Sequence, residues 1–190
     1  MDMASLRDLL RQWDHHGFLA HPNGALLWGR RPDGVVSGVL HKIHPPYPDA
    51  VLGPFLQENA FLAAYVQPRL WRSFNSSSLY GYKLKFYGPR LIAPGERPIE
   101  AIDVVSTNLS FADVADRHGG TIVGSAEGAK YNAFLVERPD GPVVSVCRED
   151  DVVLAEWSGL EACILATVTT MNAHFDPEAP SAYVPPWVKG

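Results

Sequence analysis

Seven histidines, two cysteines and one run of three acids are the places where this 190-residue chain could keep chemistry. Five of the histidines, His15, His16, His21, His41 and His44, fall early in the chain. A metal site needs three or four imidazoles or carboxylates converging on one point. The best offer is His41-x-x-His44 with an acid such as Asp49 or Asp103, a set suited to a metal-dependent hydrolase or lyase. His44 runs straight into Pro45-Pro46, however, so the pair does not sit on a helix turn. Polar residues at loop and helix ends are the simpler reading, and no metal or cofactor is expected. Cys147 and Cys163 lack a CxxC partner and read as buried thiols, one in a strand and one on a helix face.

The acids Glu149-Asp150-Asp151 suit metal or acid–base work, but three in a row between two strands describe a solvated turn. There is no GxSxG elbow, no GxxxxGK[ST] loop and no GxGxxG opening a helix. Gly124-Ser125-Ala126-Glu127-Gly128 is flanked by glycines and reads as a turn, not as a phosphate cradle. Lys83 and Lys85 among the aromatics of Tyr80–Tyr87 imitate a base-stacking platform, yet the net charge of -5 argues against gripping phosphates. Residues 1–100 hold 11 basic and 8 acidic side chains, and residues 101–190 hold 5 and 13. The second half therefore carries a negative field that favours a basic partner. No secretion signal and no apolar run of bilayer length is visible, and two cysteines suit a reducing compartment, so a cytoplasmic location is expected.

The elements that must position these residues follow from periodicity. Leu6, Leu9, Leu10 and Trp13 mark one helix face, with Ser5 and Asp8 as its capping pair and Gly17 as its stop. Ala25–Trp28 and Val35–Leu40 flank Arg30–Gly34 as a hairpin. Pro54 opens a second helix, which Pro68 ends or kinks. Asn75–Ser78 breaks the apolar surface, and Tyr80–Tyr87 alternates with period two, predicting one strand. Ser110 and Asp113 cap a short helix closed by Gly119-Gly120. Thr121–Gly124, Tyr131–Glu137, Val143–Cys147 and Val152–Trp157 predict a β-meander, with Pro139-Asp140-Gly141 as its firmest turn. Ser158 and Glu161 box the start of a last helix carrying Leu160, Ile164, Val168 and Met171. Residues 175–190, rich in proline, read as an extended tail whose Tyr183 and Trp187 lie on the body. The sum is one α+β domain over 1–190: a mixed, largely antiparallel sheet with helices packed on it and a C-terminal helix.

From Pro54 to His174 the order of elements resembles the SUKH superfamily. The residues carrying the likeness are Leu70–Phe74 with Asn75, Leu79-Tyr80-Gly81, Asn108, Ile122-Val123-Gly124, Tyr131–Phe134, Asp140-Gly141 and the passage Leu154–Glu161. Asn75-Ser76 stands where an Asn-Gly turn is typical, and residues 1–50 and 175–190 exceed the pattern. The resemblance implies a mixed sheet with helices packed on it, no enzyme activity, and binding to a cognate toxin domain as an immunity protein; other members are regulatory scaffolds. Occlusion of a nuclease-like toxin by an acidic face would use Glu137, Asp140, Glu149, Asp150 and Asp151, with Tyr80, Tyr82, Trp157 and Trp187 as the alternative, aromatic anchors. Neither nucleic acid nor membrane is expected as a partner.

Overall fold

A computed structural model of the protein describes residues 1–29, 40–89, 103–128, 132–178 and 187. Among these residues nine strands form one antiparallel sheet in which every strand pairs with its neighbours in that series. They are β1 (Phe18–Ala20), β2 (Leu26–Trp28), β3 (His41–Ile43), β4 (Ser77–Leu79), β5 (Leu84–Phe86), β6 (Thr121–Glu127), β7 (Asn132–Glu137), β8 (Val143–Cys147) and β9 (Val153–Trp157). A parallel bridge, Gly88 to Asp103, lies outside them. The α+β class, the meander and the terminal helix are thus present.

Alternation along the strands divides the core in two. Leu84, Phe86, Val123, Leu135 and Val143 point to one face. That face is covered by α1 (Met3–Leu9), the 3-10 turn Arg11–His16 and α6 (Leu160–His174), through Leu6, Leu10, Trp13, Ile164, Val168 and Met171. Ile122, Phe134, Val136, Val144 and Val146 point to the other face. There they meet α2 (Asp49–Glu58), α4 (Val104–Ser110) and α5 (Ala112–Arg117) through Leu52, Phe55, Val104 and Ala115. The short α3 (Gln67–Trp71) serves both faces, Leu70 joining the first cluster and Trp71 the second. The first fifty residues are no appendage, because they supply α1 and three strands.

Several local expectations are corrected. Asp2, not Ser5, caps α1, accepting the Ser5 N–H at 2.7 Å. Pro48 stands at the N-cap of α2, and Pro54 lies inside that helix. Pro68 opens α3 instead of ending a helix, as suits a residue with no N–H to pair. The strand expected over Tyr80–Tyr87 is a hairpin. Tyr80, Gly81 and Tyr82 turn it with φ of 54°, 59° and 73°, and the serines beyond them enter β4. Asp103 caps α4 by accepting the Val105 N–H at 3.0 Å, whereas the expected Ser110 cap does not form. Ser158 makes no cap on α6; Gly159 occupies that position, and Glu161 instead meets the Met1 ammonium.

Gly124 to Glu127 is strand, not turn. Glycine is required at 124 because a Cβ there would stand 2.4 Å from the Lys85 carbonyl oxygen of β5. The register of β6 shifts between Ile122 and Gly124, and Asn108 of α4 fills the interruption. Its amide donates to the Ile122 carbonyl at 2.9 Å and accepts the Ile122 N–H at 2.8 Å, doing the work of a strand partner. The Arg30–Gly34 turn and most of the proline-rich tail, including Tyr183, lie outside the described residues.

Candidate interaction surface

The β8–β9 connection carries the acidic run, and α5 fixes it. Asp151 takes a left-handed backbone, φ 63°, which an aspartate tolerates better than most residues. Its carboxylate accepts from Arg117 Nε at 2.6 Å and lies 3.0 Å from His118 Nε2, both at the end of α5. Hydrogen bonding to Arg117, then to His118, holds the Asp151 carboxyl below the ordinary aspartate range. Arg117 also donates to Asp113 at 2.9 Å. Beside it, Arg148 lies over the rings of Phe134 and Phe111, 4.7 and 5.0 Å from their centroids.

Asp151 is therefore a structural acid, whereas its two neighbours point outward. Glu149 and Asp150 are exposed, and neither forms an ion pair among the described residues. Asp150 accepts the Val152 N–H at 3.3 Å, which shapes the turn. Glu149 accepts from the Cys147 thiol at 3.2 Å. Immediately beyond them Val152 is 51% and Val153 44% exposed, at the start of β9, the sheet's last strand. An extra residue in β9 between the partners of Ser145 and Val146 breaks the ladder, and Glu156 is exposed along the strand. Bulges and charges at an edge oppose indiscriminate strand pairing, so recognition here falls to side chains.

The five acids expected to form one face do not do so. Glu137 is fully buried, accepting the backbone N–H groups of Val66 and Gln67 at 3.1 and 3.3 Å. Asp140 is exposed, but in the β7–β8 turn at the opposite end of β8. Five residues of strand, about 17 Å, separate the two turns. Only Glu149 and Asp150 remain together as free surface acids.

The other candidates scatter similarly. His41 opens β3 and His44 lies one residue past its end, at an odd spacing that separates side chains across extended backbone. His41 is fully buried among Tyr80, Trp13 and Trp28, with ring centroids 4.6 to 6.0 Å away, and its Nδ1 accepts the Tyr80 N–H. Burial, and then the charge of His16, lowers its pKa to about 3. Burial, followed by the charge of Lys42, lowers that of His44 to about 4. Asp49 pairs with Arg72 at 2.5 Å and Asp103 caps α4. Among the described residues no group of three or more His, Cys, Asp or Glu side chains gathers to hold a metal ion. Lys85 pairs with Glu127 at 2.5 Å, and Tyr80 is buried, so the aromatic hairpin makes no stacking platform. Trp157 and Trp187 pack against each other, 6.4 Å between centroids.

Sequence reasoning missed Val152, Val153, Arg117 and His118. Two valines following three acids read as strand, and nothing in that run says that the strand lies at the edge of the sheet. Arg117 carried a usable signal, since a cation at a helix C-terminus suits its dipole and is poised to reach a neighbouring acid. No described helix is long and apolar enough to cross a membrane. No family model, no curated protein and no solved structure matches the chain.

Proposed function

We propose that the protein is a non-enzymatic binding protein that neutralises a protein partner, an immunity protein of the SUKH kind acting in the cytoplasm. The observation that carries this reading is the β8–β9 surface: an apolar centre, Val152 and Val153, bordered by the unpaired acids Glu149 and Asp150. An apolar centre with a polar rim is the common anatomy of a protein interface. The Asp151–Arg117–His118 contacts support it by fixing the turn before any partner arrives, which lowers the ordering cost of association. The acidic excess of residues 101–190 favours a basic partner, such as a toxin domain with a cationic substrate groove.

Co-expression with the products of neighbouring open reading frames tests the biological claim. One of them should be lethal alone and harmless beside this protein; if none is toxic, the immunity reading fails. With that partner in hand, changing Glu149 and Asp150 together to Ser should slow association several-fold at low salt, with a smaller effect at high salt. Val153→Asp should weaken the complex through faster dissociation. A response to neither substitution would move recognition to another surface.

A further inference from the structure

Among the described residues the sheet ends in two edge strands, β1 and β9, and they are guarded unequally. β9 carries a bulge and Glu156, which oppose strand pairing. β1 has neither: Phe18, Leu19 and Ala20 are uncharged and exposed, and their register with β2 is unbroken. The bonds flanking the strand fix which way its backbone groups point. The Gly29 N–H donates to the Gly17 carbonyl at 3.0 Å, and the His21 N–H to the Ala25 carbonyl at 2.8 Å. Antiparallel bonding alternates along a strand, so the odd residues, Leu19 among them, face β2. The N–H and C=O of Phe18 and Ala20 therefore point away from β2, and no described residue pairs with them. The next outward position is Pro22, which has no N–H to offer. In the other direction His16 already belongs to the 3-10 turn. The free set is thus two donors and two acceptors, placed symmetrically about Leu19.

We propose that the β1 edge pairs with the β1 edge of a second copy of this chain, antiparallel about a two-fold axis at Leu19. In that register Phe18 lies opposite the partner's Ala20, and Ala20 opposite the partner's Phe18, so every outward group finds a bond. A ring set against a methyl group fits where two rings would crowd. The Phe18 ring is already held, with Arg7 over its face at 4.6 Å and Trp28 at 5.0 Å between centroids, so pairing orders little that was free. Leu19, 47% exposed in one copy, meets the partner's Leu19 at the axis. That pair exchanges no backbone bonds, which brings its side chains closest. An isologous contact uses up the edge and closes at two copies, whereas β1-to-β9 pairing would grow without end. The two β8–β9 surfaces then stand at the far ends of one continuous sheet, and the dimer does not depend on what they bind.

Sedimentation of the intact protein across a concentration series reads the dimer. Between about 10 μM and 1 mM the mean mass should rise from one chain toward two and no further. Ala20→Pro removes an N–H that β2 does not use, a change an edge strand tolerates, and deletes two of the intermolecular bonds. The dissociation constant should rise about tenfold. Leu19→Lys sets like charges face to face at the axis and should weaken the dimer most at low salt. Should either variant fail to fold, amide exchange of the wild type decides, since Phe18 and Ala20 should gain protection as concentration rises. A monomer at about 1 mM, a mass climbing past two chains, a dimer indifferent to both substitutions, or Phe18 and Ala20 amides blind to concentration would each overturn the proposal.

Discussion

The strands before α4 and those after it are held by different means. In β6 to β8 the strands run five to seven residues, and apolar side chains such as Phe134, Leu135, Val143 and Val144 fill both faces. In β1 to β5 every strand has three residues, too few for a ladder to sustain itself. There polar side chains bridging distant elements add to the burial of Trp28, Ile43, Leu79, Leu84 and Phe86. Asn172 of α6 accepts from Trp13 Nε1 and from the Tyr80 hydroxyl, both at 2.7 Å, and donates to the Leu9 carbonyl at 2.6 Å. Trp28 Nε1 donates to Asp14 at 2.8 Å. One sheet thus joins a region of long strands held by burial to a region of short strands in which directed bonds supplement burial.

Breaking each region in its own currency tests this contrast. Leu135→Ala empties a fully buried site beneath α6 and should lower stability by about 3 kcal/mol. Urea unfolding should show that loss with an unchanged m-value. Asn172→Ala should remove about 2 kcal/mol by stranding the Trp13 and Leu9 groups. Its loss of amide protection should fall on α1 and β1 to β3, leaving β7 and β8 as they were. Equal loss across the sheet would abolish the distinction between the two regions.

Acid sharpens the contrast by setting groups from the two regions against each other. His41 and His44, both in the short-strand region, have folded pKa values far below 6.5, so they lend stability above that value and lose it as pH falls. Glu137 has a raised value, so stability falls as pH rises from 4.5 to about 7. Going from pH 6.5 to 5.5 should therefore cost the wild type only about 1 kcal/mol, and Glu137→Gln about 2 kcal/mol. Chemical denaturation at the two pH values measures both, and equal losses would refute the opposition. The smallest effect is expected at Tyr82, a half-exposed residue with φ 73°. Tyr82→Gly should relieve the backbone and raise stability by about 0.5 kcal/mol, seen as a small increase in Tm.

The same division governs how much of the molecule was legible in its sequence. Val143–Cys147 reads correctly because five apolar or small residues between turn signals have one economical conformation. The firm turn at Asp140-Gly141 is present, with Gly141 at φ 109°. The Tyr80 hairpin does not read. Its aromatics alternate as a strand would, and nothing local announces that Tyr80 and Tyr82 accept left-handed backbones; the Tyr80 contacts with His41 and Asn172 impose that from afar. Ser77 and Ser78 look like a break and are strand, because pairing on both sides outweighs their weak propensity. Of the acids singled out for binding, Glu149, Asp150 and Asp151 share a turn, while Glu137 is buried because Val66 and Gln67, 71 and 70 residues away, supply its partners. No window on the sequence contains that fact.

The consecutive strand order carries a consequence for how the chain reaches this state in time. Within β6 to β9 each pairing closes a short loop, so these hairpins need little chain entropy and form early. The bond from Asn172 to Leu9 spans 163 residues and waits for both termini of the layer to exist. Docking of α6 on α1 is then the closing event, and until it happens Trp13 and Tyr80 lack the Asn172 contact that unites them. In a refolding experiment with pulsed amide labelling, β7 and β8 should gain protection first and α1 last; simultaneous protection would mean that the two ends assemble as one nucleus. The helix that precedes every strand along the chain would thus be among the last elements to find its place.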